Sequence, residues 1–187
     1  MSRFCNCDKC LKKIVITNPF EGFEKHQKVK DSRLFFDIRV RSMCTFACGK
    51  YGKNPCCPPN VPMMDEFRDV ISAYENVSVI GQRYPYSDGL FASHWRTYST
   101  NEIHHRLLEK ELELFNAGHH YAKTFIGGSC KVCPPDLCLP EKCKVPPKGR
   151  MPLEATGIDV YGFMKSFGLE FQEPPIDYFW RLGVIFY

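Results

Sequence analysis

Four cysteines within fourteen residues are the first feature of this chain that could do chemistry. Cys130, Cys133, Cys138 and Cys143 follow the spacing C-x2-C-x4-C-x4-C in the run CKVCPPDLCLPEKCKVPP. Thiolates are soft donors that suit zinc or iron–sulfur clusters. A structural zinc site pairs two C-x2-C knuckles across a longer spacer, and this run has one. A cubane needs four cysteines approaching its corners, which short unequal spacings provide, in a style related to the ferredoxin run C-x2-C-x2-C-x3-C-P. Pro134 and Pro135 after Cys133, and Pro146 and Pro147 after Cys143, stiffen the loop.

A second group lies upstream in CTFACGKYGKNPCCPP, with Cys44, Cys48, Cys56 and Cys57. Cys57 directly precedes the prolines, as Cys133 does, and reads as the ligand. Cys56 is ambiguous, because adjacent side chains diverge in an extended backbone. Cys44, Cys48 and Cys57 would leave one iron of a cluster open to substrate or exogenous sulfur, by the logic that separates open catalytic zinc from closed structural zinc. Alternatively Cys56 or an N-terminal cysteine closes the site. Backbone N–H groups of Gly49, Tyr51, Gly52 and Lys53 could hydrogen-bond cluster sulfurs and tune their potential. The leader CNCDKC adds Cys5, Cys7 and Cys10, which could complete a site or ligate metal themselves.

The compartment decides how to read eleven cysteines. No apolar run reaches the roughly 20 residues that span a bilayer. The leader MSRFCNCDKCLKK has no apolar stretch behind its charges, so a signal peptide is not expected. A reducing cytoplasm is the expectation, and there clustered cysteines point to metal or catalysis rather than disulfides. Net charge is +4, unevenly spread: residues 1–53 hold 12 Lys or Arg against 5 Asp or Glu. Such a basic third could face an acidic partner, a phosphate-bearing ligand or RNA, although a solvated surface near anionic clusters explains it more simply.

The elements that must position these groups alternate loosely between strand and helix. Leu34–Val40, Val77–Arg83, Tyr121–Ile126 and Trp180–Tyr187 read as strands. A helix should follow Asn60 and Pro62, with Met63, Phe67, Val70, Ile71 and Tyr74 on one face. Thr100–Ala117 is the strongest helix, with Ser99 and Glu102 as a capping box and Gly118 as its stop. Asp159 should cap a short helix ending near Gly168. The expectation is α/β or α+β: a small domain over residues 14–187 with a mixed sheet, two main helices and cysteine-rich loops, preceded by a leader over residues 1–13.

The runs RVRSMCTFACGKYGKNPCCPP and GGSCKVCPPDLCLPEKCKVPPKGRMPLEATGIDV, joined by HHRLLEKELELFNAGHHYA, resemble an uncharacterised prokaryotic family of predicted metal-binding proteins. The likeness covers most of residues 34–168. It implies one ligand set at Cys44, Cys48 and Cys57 and a second at Cys130, Cys133, Cys138 and Cys143. It implies no reaction, and it does not reach Cys5, Cys7 or Cys10.

His104, His105, His119 and His120 flank the long helix and read as surface or capping residues, since no H-E-x-x-H motif accompanies them. His94, Trp95 and Arg96 form a polar–aromatic patch in a loop. Glu154 follows the second group and could act as acid or base. Phosphate-loop, dinucleotide and hydrolase-elbow motifs are absent, as is the radical spacing C-x3-C-x2-C. The leading expectation is two [4Fe-4S] clusters serving electron transfer or a redox accessory role, with a partner protein or small-molecule substrate and no membrane. One alternative is an enzyme using an open iron for sulfur transfer or reduction. Another is a structural zinc protein that binds RNA or a protein partner.

Overall fold

A computed structural model describes residues 22–31, 34–86, 93–134 and 138–187 of the chain. The leader segment and Cys5, Cys7 and Cys10 lie outside the described residues. The fold is α+β. Four strands, β1 (Gly22–Lys28), β2 (Asn76–Pro85), β3 (Lys123–Ile126) and β4 (Tyr178–Phe186), form one sheet in the order β1-β2-β4-β3. Every strand pair is antiparallel, so the sheet is not mixed. Among the described residues four helices accompany it: α1 (Ile38–Ala47), α2 (Met64–Ser72), α3 (Ser93–Asn116) and α4 (Val160–Ser166). Among the described residues no helix is long and apolar enough to cross a membrane.

Successive strand residues face opposite ways, and the two faces carry two cores. Val77 and Val79 of β2 and Leu182, Val184 and Phe186 of β4 join Phe67 and Ile71 of α2 and Phe163, Met164 and Phe167 around α4. On the other face Ile80, Ile126 and Ile185 meet Ile103 and Leu107 of α3. Gly183 lets α3 approach closely there, since a Cβ would lie 2.1 Å from Leu107 Cδ1. β1 is the element with no apolar alternation to announce it. Its run GFEKHQK is largely exposed, and it is held by pairing to β2 along its whole length.

The segment read as a strand over Leu34–Val40 is instead a short bridge followed by a helix. Phe36 pairs with Ile158, and Asp37 then caps α1 by accepting from the Arg39 N–H at 2.8 Å. An Asp two residues before an N–H it can reach favours helix entry over continued strand. The helix after Asn60 begins at Met64, and Asn60 does not cap it. The Met63 N–H donates to Glu66 Oε2 at 2.6 Å instead. Of its expected apolar face, Phe67 and Ile71 are buried while Met63 and Val70 are exposed. α3 starts at Ser93, seven residues ahead of the expected start, so the His94–Arg96 patch is helical rather than a loop. Ser99 is buried and spends its hydroxyl on the Arg96 carbonyl rather than on a helix cap. At the other end Gly118 adopts a φ of +100° and ends the helix as expected.

Candidate metal centre

The first cysteine group sits where α1 ends. Cys44 and Cys48 are four residues apart, so they share one side of the helix end. Cys57 is buried in the following turn, where its N–H donates to the Asn54 carbonyl at 3.0 Å. Burial raises the Cys44 thiol pKa above its ordinary value, and the neighbouring Cys48 and Glu154 add to this. Burial also pushes Cys57 up to about 12, helped by Cys48, Cys44, Cys130 and Glu154. The three thiols are therefore mutual neighbours, with a carboxyl group beside them.

Glu154 belongs to a 3-10 turn, Leu153–Thr156, that packs against α1. Its carboxylate accepts from the Gly128 N–H at 3.0 Å, and burial raises its pKa. Arg41, buried in α1, donates to the Ala155 carbonyl and fastens the helix to that turn.

The second group hangs from the end of β3. Cys130, Cys133, Cys138 and Cys143 line a cavity of about 20 Å³, and Cys56 joins them there. The adjacent pair thus divides: Cys57 turns to the first group and Cys56 to the second. The Cys56 thiol donates to the Cys130 sulfur, which raises Cys56 and lowers Cys130. Backbone N–H groups of Val132 and Arg150 and the Lys131 charge also favour a Cys130 thiolate. Cys138 is pushed up by burial and by Cys130, Cys133 and Cys143, against the pull of Lys50.

Three residues that the sequence did not flag hold this loop. Asn54 is buried; its Oδ1 accepts from the Cys56 N–H at 2.8 Å and its Nδ2 donates to the Cys130 carbonyl at 3.4 Å. Arg150 is buried, donates to the Pro147 and Gly149 carbonyls at 3.0 and 2.8 Å, and pairs with Glu111 of α3. Burial alone would raise Glu111, but Arg150 and the Thr124 N–H hold it below its ordinary value. Gly149 gives the sulfurs room, because a Cβ there would lie 2.9 Å from Cys143 Sγ and 3.3 Å from Cys56 Sγ. Asn60, expected as a helix cap, donates to both the Asn54 and Pro140 carbonyls at 3.3 Å and so ties the two cysteine loops together. No local sequence signal marks Asn54 or Arg150, since their roles exist only between distant segments.

All eight described cysteines are free thiols. Among the described residues no three Cys, His, Asp or Glu side chains stand at the spacing a shared metal ion would need. The chemistry of the thiols still fits a thiophilic metal group: soft donors are gathered in two sets, without disulfides among the described residues, and the glycine at position 149 keeps the space between sulfurs clear. His104, read as a surface residue, is instead buried, and neither ring nitrogen has a side-chain hydrogen-bond partner among the described residues. Burial brings its pKa down to about 4, against the opposing pull of the Lys148 backbone. His105, His119 and His120 are exposed, and none of these histidines joins a cysteine group.

An α+β domain that presents two sets of free thiols on adjoining loops is the class of protein defined by these observations. The family model described as predicted metal-binding protein (DUF2284) matches residues 27–185, and the chain belongs to that family. Comparison with curated proteins and with solved structures gave no match.

Proposed function

We propose that this protein binds two iron–sulfur clusters, one at Cys44, Cys48 and Cys57 and one at Cys130, Cys133, Cys138 and Cys143, and serves electron transfer or a redox accessory role in the cytoplasm. The observation that carries this reading is the division of the CC pair. One short turn sends Cys57 to one thiol set and Cys56 to the other, and Cys57 and Cys130 are close enough to act on each other electrostatically. Two thiolate-held centres that adjoin in this way suit passage of an electron between them. Iron–sulfur clusters supply reversible one-electron chemistry, with a potential tuned by nearby hydrogen bonds and exposure. A redox partner protein or a small molecule would complete the reaction.

Purification under nitrogen followed by iron, sulfide and zinc analysis tests the proposal. Brown protein whose absorbance bleaches on dithionite supports it, and colourless protein with stoichiometric zinc overturns it. Cys57→Ala and Cys130→Ala should each remove about half of the iron if the two sets hold similar clusters. Unchanged iron in either variant would remove that cysteine from the ligand set.

A second reading is favoured by the first group alone. It offers three thiols and a neighbouring carboxyl, Glu154, among the described residues. A cluster held by three thiolates has an open iron, which would serve sulfur transfer or reduction. Added sulfide should then change the spectrum of the wild type and leave that of the Cys57→Ala protein unchanged. A silent wild-type titration sinks this second reading.

A further inference from the structure

One face of α1 carries large apolar side chains in the open. Ile38, Met43 and Phe46 are each more than half exposed, and Phe46 reaches 83%. Ile38, Ser42 and Phe46 are four residues apart, so they form one ridge along the helix with Ser42 at its middle. Met43 flanks that ridge. Cys44 and Cys48 stand two residues either side of Phe46, which at 3.6 residues per turn puts them on the other side of the helix. The Ser42 hydroxyl donates to the Ile38 carbonyl at 2.8 Å, so covering it strands no donor. The run from Ser42 to Gly49 holds no charged residue. Arg39, beside the ridge, is neutralised by Asp37, whose two carboxylate oxygens accept from its Nε at 3.0 and 2.9 Å.

A monomer rarely leaves a contiguous apolar patch of several hundred Å² in water unless a partner meets it. Taking a side chain of this size at about 200 Å² when fully exposed, Ile38, Met43 and Phe46 leave about 400 Å² of each copy uncovered. Two such faces with their rims reach the roughly 1,000 Å² that a specific interface needs. Interfaces between identical chains are apolar and poor in charge, as this face is. A two-fold axis also requires the patch to match itself, residue i meeting j and j meeting i. With the axis at Ser42, Ile38 of one copy stands opposite Phe46 of the other. The two small serines then meet at the crossing point, where paired helices approach most closely. Ridges of residues four apart interdigitate in the commonest helix packing of globular proteins.

We propose that α1 is a dimer interface, in which the ridge of Ile38, Ser42 and Phe46 packs against the same ridge of a second copy of this chain about a two-fold axis at Ser42. This goes beyond the metal reading and does not rest on it. The first cysteine groups of the two copies would lie on the far sides of the paired helices, clear of the contact.

The test is analytical sedimentation of the full-length protein at micromolar concentration, with metal content measured on the same samples. The wild type should have the mass of two chains. Phe46→Lys suits the C-terminal end of the helix dipole and Ile38→Glu the N-terminal end, so neither threatens the fold. Each should weaken the dimer about thirtyfold or more, as loss of a residue central to an interface does, with metal content unchanged. Combining the two substitutions sets opposite charges at facing positions, and that double variant should dimerise more tightly than either single one. Phe46→Leu, which stays apolar, should remain dimeric. A monomeric wild type overturns the proposal, whether residues 1–21 or a different protein then covers the face. A dimer that both single variants leave intact overturns it too, as does a double variant no tighter than the singles. An iron-loaded monomer would sink this inference and leave the cluster proposal intact, and a dimer lacking iron would do the reverse.

Discussion

The two cysteine groups are built differently. The first is carried by regular structure: Cys44 lies on α1, Cys48 is its C-terminal cap residue, and Cys57 is buried in the turn that follows. Burial and neighbouring thiols raise the pKa of Cys44 and Cys57, and among the described residues the group has three sulfurs. The second is carried by a loop with little regular structure, and it has five sulfurs once Cys56 is counted. Its order comes from outside the loop, through Asn54, Gly149 and the Arg150–Glu111 pair. One group is positioned by local helix geometry and the other by long-range polar anchors. A single anchor should therefore matter far more to the second.

Arg150→Met is the largest way to break that contrast. The Arg150 and Glu111 side chains are only 7% and 16% exposed, so removing one partner strands the other charge in the interior. The expected loss is about 3–5 kcal/mol in urea denaturation. Metal should be lost from the second group first, leaving about half of the iron under the two-cluster reading. A stability loss below about 1 kcal/mol would mean that the pair is not the anchor and that the loop is held elsewhere.

His104 offers a pH-dependent form of the same contrast, because it lies behind the second group's loop near Arg150, Glu111, His105 and the Lys148 backbone. Its folded pKa is about 4, below the ordinary 6.5, because burial disfavours the charged ring. Above pH 6.5 the ring is neutral in both states and costs nothing. Between pH 6.5 and 4 the unfolded chain takes up a proton that the folded chain does not, so stability falls as pH falls. The loss should be on the order of 2–3 kcal/mol at pH 4. Denaturation midpoints of the wild type and His104→Leu, followed from pH 7.5 to 4, read it directly. The wild type should lose stability over that window more steeply than the variant, and parallel curves would exclude His104 as the cause.

The sequence exposed the ligand-type residues and most of the scaffold, for physical reasons. Cysteine clustering is local, so both groups stood out from spacing alone. β2, β4, the body of α3 and its stop at Gly118 were visible because apolar periodicity and a left-handed glycine are local signals as well. β1 was invisible, since an edge strand with both faces largely in water needs no alternation. Leu34–Val40 has the β-branched and aromatic content of a strand, whereas in the fold the Asp37 cap and the bridge from Phe36 to Ile158 turn it into a helix start. His104 misled because one turn of helix cannot tell a solvent face from one pressed under a distant loop. Asn54, Asn60 and Arg150 join segments 39 to 80 residues apart, and no window along the chain contains both ends of such a bond.

The smallest expected effect sharpens the contrast most, because it concerns neighbours in sequence. Among the described residues Cys57 is one of three thiols in the first group, whereas Cys56 is one of five in the second. If four thiolates complete a cluster, Cys56 is the spare sulfur, acting as an S–H donor to Cys130 rather than as a ligand. Cys56→Ser keeps a donor of similar size and should leave metal content unchanged, with stability within about 1 kcal/mol of wild type. Losing the Cys56 hydrogen bond through Cys56→Ala should instead shift the reduction potential of the second group while metal content holds, since hydrogen bonds to ligand sulfurs set that potential. Metal analysis beside redox titration of the two variants separates the cases. Loss of metal in Cys56→Ser would make Cys56 a ligand and require one of Cys130, Cys133, Cys138 and Cys143 to be the spare.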